Sequence, residues 1–361
     1  MSNKLQNTRI EFHILQSFPV SCLNRDDVGS PKNALIGGTQ RARVSSQCWK
    51  RAVRLAMHEF GVETAKRTKR ITAWVQQACQ NAGASEELAL ACGEATAKAL
   101  TKTVKDGESD TLFYISNAEA NAIAEFFKEN DFDASKDTKE LLKLLKKGVN
   151  TVLDGVDIAL FGRMAASAPD VNVEAAASFA HAISTHKAAS EVEFFTAVDD
   201  LKEDNNEQGA AHMGSLEFNA ATYYRYVSID LGKLAENLGG ADDLDLIPAI
   251  AAFTKALFSA VPSARQTTMS AAPMWDYAKV LVRRGQRLQV SFEEAVKPSK
   301  EFPSLAKASR KELNDQLERF EKLSGSLFGK LAEFTFGEDL EFSIDSLVEQ
   351  LSAEIKKLQA A

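Results

Sequence analysis

Two strand-like runs dominate residues 191–231, EVEFFTAVDDLKEDNNEQGAAHMGSLEFNAATYYRYVSIDL. The runs EVEFFTAVDDL and MGSLEFNAATYYRYVSIDL are rich in the aromatic and β-branched residues that favour strands. The polar segment KEDNNEQGAAH between them indicates a turn. We therefore expect a long β-hairpin whose polar tip is exposed to solvent. Because Phe194 and Phe195 are adjacent, they cannot both face the same core from one strand.

The rest of the chain alternates between predicted strands and predicted helices. Alternating apolar residues predict a strand over residues 8–16, and apolar periodicity predicts a helix over residues 247–262. Ser45 and Ser46 are the candidate N-caps of a helix that runs through Trp49. Further strands are predicted at 155–164 and 273–284, further helices over 62–148, 173–187 and beyond 302, and a long ordered loop over 18–40. This order predicts an α+β fold around one core, interrupted by insertions.

Composition limits the kinds of protein that this chain can be. Its 361 residues are 45% hydrophobic and 26% charged, which is typical of a globular protein with a sizeable core. No apolar run approaches the ~18 residues that span a bilayer, and the N-terminus lacks an apolar signal region. We therefore expect a cytoplasmic protein. Cys22, Cys48, Cys79 and Cys92 form no Cys-x-x-Cys pair, which disfavours a zinc site and a disulfide framework.

Positive charge is concentrated in one part of this acidic chain. Residues 41–70 contain nine lysines or arginines against two glutamates, a charge of +7 in a chain whose formal net charge is −7. The remaining residues therefore carry −14. A local positive field on an acidic body favours an anionic partner that docks on one face.

Residues 37–54, GGTQRARVSSQCWKRAVR, have the features of a polyanion site. The glycine pair lets the backbone approach a ligand closely, and the start of the predicted helix offers unpaired N–H groups. Lys50 and Arg54 share one helix face, whereas Arg41 and Arg43 alternate on the extended segment before the helix. The Walker phosphate-binding pattern is absent. A row of cations with neutral donors favours a phosphate chain, and nucleic acid is the leading interpretation.

Several ordered blocks resemble the CasC family, the backbone subunit of the type I-E CRISPR Cascade complex. The blocks are SCLNRDD (21–27), GG (37–38), RARVSSQCWKRAVR (41–54), GVDIALFGRMAAS (155–167), FAHAISTH (179–186), FFTAVDDL (194–201), GAAHMGSLEF (209–218) and YYRYVSIDLGKLAENLGG (223–240). The resemblance implies an α+β, hand-shaped fold. Its palm is RNA-recognition-motif-like (ferredoxin-like), and it carries a helical fingers insertion and a long β-hairpin thumb.

The resemblance also implies boundaries and a function. The implied parts are the palm (1–60, 151–190 and 225–300), the fingers (61–150), the thumb (191–224) and a C-terminal helical segment (301–361). Copies of the family's subunit line up head to tail along one guide RNA, together with other Cascade subunits. The row holds the guide for pairing with a target DNA strand. The implied role is therefore a non-catalytic, RNA-binding scaffold of antiviral defence.

Matching positions assign individual residues to the guide RNA. The residues implied to contact the RNA backbone or the neighbouring nucleotides are Arg25, Arg43, Ser46, Gln47, Lys50, Arg51, Arg163 and Met164. The charge pattern adds Arg41 and Arg54 to this set. The thumb residues implied to press on nucleotides where the guide is kinked are Phe194, Phe195, Val198 and Met213.

Two other functions remain open at this point. Asp26 and Asp27 form a carboxylate pair beside the basic segment, and a metal-dependent endoribonuclease could use such a pair. Alternatively, a cytosolic enzyme could use the glycine turn and the basic helix to hold a small phosphorylated substrate. His181 and His186 are five residues apart and do not share a helix face well, so we expect structural roles for them. We expect no metal and no cofactor.

Overall fold

The computed structural model describes residues 4–101, 104–105, 107–136, 138–146, 148–197, 212–240 and 244–360. Its strands are β1 (Thr8–Ser21), β2 (Asn33–Ile36), β3 (Thr39–Val44), β4 (Lys66–Thr68), β5 (Val104–Lys105), β6 (Glu108–Ser109), β7 (Phe113–Ile115), β8 (Ala177–Phe179), β9 (Ala182–Ser184), β10 (Glu191–Ala197), β11 (His212–Asp230), β12 (Tyr277–Arg284) and β13 (Lys330–Phe336). Its α-helices are α1 (Ser46–Ala56), α2 (Ile71–Asn81), α3 (Glu86–Leu100), α4 (Asn117–Lys128), α5 (Thr138–Lys146), α6 (Val156–Phe161), α7 (Leu231–Asn237), α8 (Ile247–Ser259), α9 (Gln266–Met269), α10 (Leu305–Ser324) and α11 (Ile344–Ala360). Short 3-10 helices lie at Met57–Phe60, Pro169–Val171 and Gly325–Phe328.

One large antiparallel sheet organises the molecule. Its strand order is β13-β12-β1-β11-β9-β3-β2, and β8 and β10 also pair with β11. The 14-residue β1 lies between β11 and β12, with Phe12 opposite Val227 on one side and Val280 on the other. The α+β prediction is therefore confirmed.

Protein covers both faces of this sheet at β1. Ile10, Phe12 and Ile14 belong to a hydrophobic cluster that includes buried residues of α8 and α11. Leu15, on the opposite face, belongs to a second cluster that contains residues of α10 and the buried Val290. Because successive side chains of a strand point to opposite faces, β1 contributes to the core on both sides.

The helices α2 to α5 form a hydrophobic cluster of their own, which extends from Ile71 to Val171. Local sequence explains where two of these helices begin. The side chain of Ser85 accepts a hydrogen bond from Leu88 N–H at the start of α3. Ser116 and Glu119 form a reciprocal capping box at the start of α4. Within the described ranges, the structure contains no helix that could serve as a membrane span.

Several elements agree with the sequence predictions. These are β1, α8, β12 and the two C-terminal helices α10 and α11. Ser45 is the N-cap of α1, since its side chain accepts from Cys48 N–H at 3.3 Å. The predicted domain boundaries stay predictions.

Two predicted elements are wrong in type. The expected strand at 155–164 is the helix α6, in which Val156 to Leu160 are all buried. When every residue of a short apolar run is buried, its hydrophobic pattern cannot show whether it is a strand or a helix. The expected helix over 173–187 contains β8 and β9 instead. These strands pair with β11 and β3, so tertiary pairing overrides the helix propensity of the alanines.

Several strands lie where no strand was expected, including the short strands β4 to β7 within the expected helical region 62–148. Within the expected loop at 18–40, β2 folds back on β3 through Gly37 and Gly38, both of which have positive φ. A two-residue turn with two positive φ angles is the geometry that glycine favours in tight hairpins. In the C-terminal region, β13 forms an edge of the large sheet by pairing with β12.

Candidate nucleic-acid interface

A cleft of about 950 Å³ lies beside the predicted basic segment. Its walls come from the loop after β1, the exposed side of α1 and the loop that follows α8. Arg25 contributes from the first wall, Arg51 from the second and Arg265 from the third. The first two of these residues were predicted to contact RNA, and the structure brings them to one cleft.

The three arginines of the cleft are available to an anion. None of them forms an ion pair or a side-chain hydrogen bond with another residue in the part of the chain that the structure describes. The buried Nε of Arg265 has no hydrogen-bond partner there either. Burial raises the pKa of the Cys22 thiol; the positive charges of Arg265 and Arg25 oppose that shift, and the negative charges of Glu217 and Asp26 add to it. The guanidinium groups of the cleft are therefore not neutralised by direct ion pairs among the described residues.

Arg265 was not predicted as a site residue. It is a lone cation in the loop after α8, about 200 residues from α1, and it has no local pattern that points to a site. Its own backbone is in the left-handed region, with φ of 58°. That conformation is uncommon for a residue with a side chain. Only the tertiary structure places it opposite Arg25 and Arg51.

Carboxylates also line the cleft. Asp26 Oδ1 accepts hydrogen bonds from Val28 N–H at 3.0 Å and Ser30 N–H at 2.9 Å, so this side chain shapes its own loop. Asp27 and Glu59 lie on the same walls. Across the described ranges, no group of three or more His, Cys, Asp or Glu side chains is placed to hold a metal ion.

Arg43 extends the basic surface along β3. Its Nε donates to the Asn33 carbonyl at 3.2 Å, and one terminal nitrogen lies 3.1 Å from His181 Nδ1. A guanidinium can only donate, so His181 Nδ1 accepts and the imidazole is neutral. Burial, together with the charges of Arg43 and Lys32, lowers the pKa of His181. These contacts orient the Arg43 side chain on the surface.

Helix α1 presents the neighbouring polar residues. Gln47 and Arg51 are exposed, and Ser46 and Lys50 are partly buried. The Lys50 ammonium lies 5.9 Å from the centre of the Phe179 ring, and burial lowers its pKa. Because the Ser45 cap occupies only one N–H, the first turn of the helix keeps further donors.

Arg41 does not belong to this surface, which corrects the prediction. Its side chain is fully buried, and the guanidinium donates to the carbonyls of Ser184, Phe292 and Glu293 at 2.8–3.2 Å. Arg41 therefore joins β9 to residues 292–293. At Gly37 the group in close approach is the Glu293 carbonyl, with which a Cβ there would collide.

Two further arginines are structural as well. Arg54 pairs with the buried Asp157 at 2.6 Å and also donates to the Ala65 carbonyl. Arg163 pairs with the buried Glu119 at 2.7 Å, and both side chains are about 1% exposed. A buried cation whose donors are occupied cannot reach a phosphate without breaking these contacts. Met164, by contrast, is 84% exposed.

The predicted thumb residues lie on a two-stranded ribbon, which we define as β10 (Glu191–Ala197) and residues 212–218 of β11. Phe194 is 78% exposed and Met213 is 70% exposed. They share a face, since Phe194 lies opposite Ser215 and Met213 lies opposite Thr196. Val198, Asp199, Asp200 and the polar tip at 202–208 lie outside the described residues.

The ribbon begins next to the cleft. Ser30, in the loop that carries Arg25, donates to Glu217 Oε1 of the ribbon at 2.7 Å. Phe195 points to the face opposite Phe194 and is also exposed. The prediction that these adjacent rings serve different faces is confirmed.

The fold of this chain is found in subunits of known assemblies. A chain of a "CRISPR RNA-guided surveillance complex, pre-nicking" is similar with a TM-score of 0.78 and 30% identity, over 96% of this chain and 99% of that chain. A chain of a "CRISPR RNA-guided surveillance complex" is similar with a TM-score of 0.66 and 26% identity, over the same shares. By its fold, this chain is therefore of the same class as subunits of CRISPR surveillance complexes.

The family model described as CT1975-like protein, a Cas family, matches residues 10–355. The chain belongs to the CT1975-like protein family. No curated protein matches it significantly. The resemblance to a CRISPR-associated subunit, drawn from sequence blocks, is confirmed.

Proposed function

We propose that this protein binds CRISPR guide RNA as the backbone subunit of a type I-E Cascade complex. The observation that carries the proposal is the cleft in which Arg25, Arg51 and Arg265 converge, none of them in an ion pair among the described residues. Guanidinium groups suit phosphate because they offer planar, paired donors. The similarity to subunits of RNA-guided complexes supports RNA as the polyanion.

The guide is expected to run along the cleft and α1 rather than across the large sheet. RNA-recognition-motif proteins stack bases on an open sheet face. Here α10 and the segment around Val290 and Phe292 cover one face of β1, and α8 and α11 cover the other. Arg43, Gln47 and Lys50 continue the polar surface away from the cleft. Phosphate contacts of this kind position an RNA without selecting its sequence.

The ribbon contacts the next copy of the chain and its guide. Val192, Phe194 and Met213 expose apolar side chains on one face, and a two-stranded ribbon is marginal in water without a surface to pack against. A contact between this face and a different face of the next copy is head to tail, so it produces an open row. The row holds the guide for pairing with target DNA.

A salt titration tests the RNA site. Replacing Arg25, Arg51 and Arg265 together by Ala should weaken binding of unrelated single-stranded RNAs alike. The slope of log affinity against log salt should fall by about 2, since each lost phosphate contact on a single strand contributes ~0.7. The matched control replaces Lys98, Lys128 and Lys322, exposed lysines paired with acids on helices, and should keep the slope. An unchanged slope in the arginine variant would reject the site.

Sizing on guide RNA tests assembly. Changing Phe194 and Met213 to Ser should leave the monomer folded by circular dichroism and shorten the rows formed on guide RNA. Ala220→Ser, an exposed change further along β11, is the matched control. Rows of full length with unaltered affinity in the double variant would reject the role of the ribbon.

The proposal includes the absence of catalysis. Asp26 is engaged by two backbone N–H groups, and no third carboxylate completes a metal site within the described part of the chain. Incubation of the purified protein and labelled RNA with Mg²⁺ or Mn²⁺ should yield no products. Discrete products that disappear in Asp26→Ala or Asp27→Ala would identify the endoribonuclease instead.

A further inference from the structure

Gly214 faces an aromatic ring across the ribbon. Phe195 of β10 and Gly214 of β11 are directly opposite each other in the antiparallel ladder, so their side-chain positions share one face. A Cβ built on Gly214 would lie 2.7 Å from Phe195 Cε1 and still closer to Cζ. The end of the ring therefore occupies the space that any other residue at 214 would fill.

This glycine has no conformational reason to be a glycine. Its φ lies outside the range in which glycine is favoured, unlike that of Gly37 or Gly38 in the β2–β3 turn. A glycine inside a strand weakens the strand and often marks a close approach by another group. At Gly214 the approaching group is the ring of Phe195, which also remains exposed to solvent.

We infer that Gly214 is a positioning residue, which holds the Phe195 ring folded across β11 so that its outer surface is presented to a nucleobase of the guide. The inference rests on the proposed function, since it assigns the ring an RNA base as its partner. A ring with a restricted orientation loses less conformational freedom on binding than one that rotates freely. Aromatic side chains on a ribbon are suitable stacking partners for single-stranded bases.

Substitution at 214 separates ring position from folding. The atoms in conflict with a new Cβ belong to the far end of a flexible side chain, so Gly214→Ala should fold with the ring displaced. The displaced carbons must retreat beyond 3.4 Å, where ordinary contact begins. Thermal unfolding followed by circular dichroism should give the wild-type midpoint for Gly214→Ala and for the control Ala220→Val. Residue 220 lies on the same face of β11 and is exposed.

The binding experiment uses the full-length protein and synthetic single-stranded RNAs that carry 2-aminopurine at successive positions. The fluorescence of this base changes when it stacks or unstacks. Wild type and Ala220→Val should change the fluorescence at particular positions. Phe195→Ala and Gly214→Ala should lose that change and bind roughly tenfold more weakly, the scale of one lost base–aromatic stack. In the Phe195→Ala background, Gly214→Ala should have no additional effect.

The outcomes distinguish the inference from the proposed function. If wild type binds no RNA, the proposed function fails. If Phe195→Ala loses the fluorescence change while Gly214→Ala retains it, the inference is overturned and RNA binding stands. Additive losses in the double variant, or a Phe195→Ala variant that behaves as wild type, would also overturn the inference without affecting the arginine cleft.

Discussion

The two halves of β11 differ although they belong to one 19-residue strand. The inner half, residues 219–230, pairs with β1, and its side chains Tyr223, Tyr224 and Ile229 are buried. The outer half, residues 212–218, pairs only with β10 among the described strands and exposes Met213. Both halves have the apolar and aromatic composition of a strand.

The difference shows that neighbours determine what a strand residue does. The inner half has the sheet on both sides and helices over its faces, so its aromatic rings stabilise the core. In residues 212–218, which precede Asn219, β11 does not pair with β1, and Phe194 and Met213 are mostly exposed. Apolar side chains that the fold leaves exposed are candidates for contact with a partner. The inner half therefore serves stability and the outer half serves binding.

The largest expected effect concerns the ion pair beneath the inner half. Arg283 donates to Glu11 Oε2 at 2.5 Å, and Tyr226 of β11 donates to the other oxygen of the same carboxylate. Arg283→Met should lower the free energy of unfolding by about 3–5 kcal/mol, because it leaves a buried carboxylate without its cation. Urea unfolding measures this. Lys322→Met, at an exposed ion pair on α10, should leave it nearly unchanged. Similar effects of both changes would contradict the role of the inner half.

A matched truncation compares the two regions directly. Ile229→Ala in the inner half should cost about 2–5 kcal/mol, since Ile229 is fully buried opposite Ile10 and the change leaves a cavity. Val192→Ala on the ribbon removes a similar side chain and should cost no more than ~0.5 kcal/mol. Chemical denaturation of both variants provides the measurement. A loss at Val192 as large as that at Ile229 would show that the ribbon is part of the core.

The free energy of unfolding should depend on pH through a histidine that contacts the inner half. His13 Nδ1 lies 2.9 Å from the Tyr224 hydroxyl, and burial, with the charge of Arg283, lowers the pKa of His13 to about 3. The folded protein therefore keeps His13 neutral, while the unfolded chain takes up a proton below pH ~6.5. The free energy of unfolding is therefore unaffected by His13 above pH ~6.5. As the pH falls from there towards 3, it decreases by ~1.4 kcal/mol per pH unit.

His13→Gln removes the titration and keeps a polar group beside Tyr224. Between about pH 6 and pH 4, the free energy of unfolding of this variant should depend less on pH than that of wild type. The difference in slope should be ~1.4 kcal/mol per pH unit. Unfolding curves at several pH values compare the two proteins. Equal slopes would mean that His13 is protonated in the folded state.

The smallest expected effect is on the stability of the ribbon. Phe194→Ser should leave the free energy of unfolding within ~0.5 kcal/mol of wild type, because the ring is mostly exposed in the isolated chain. The same change should impair assembly on guide RNA. Thermal unfolding and sizing on RNA measure the two properties separately. A loss of stability above ~2 kcal/mol would place Phe194 in the core of the monomer.

The basic region is visible in the sequence, but its surface arginines cannot be told there from its buried ones. Arg41, Arg43 and Arg54 have similar local sequence, and all were assigned to RNA. In the structure only Arg43 lies on the surface, because the other two meet carbonyls or a carboxylate from distant segments. Charge and spacing report only the chemical type of a side chain. Whether its donors are already occupied depends on residues far away in the chain.

The sequence by itself determined the α+β class, the long strands β1 and β11, the helices α8, α10 and α11, and the family. Alternation, periodicity and ordered motif blocks are local properties, so they can be recognised before the chain folds. The tertiary structure alone decided that Arg265 joins Arg25 and Arg51, that residues 156–161 are helical, and that Gly214 accommodates the ring of Phe195. Each of these depends on contacts between segments, and contact energy between distant residues outweighs local preference wherever the two conflict.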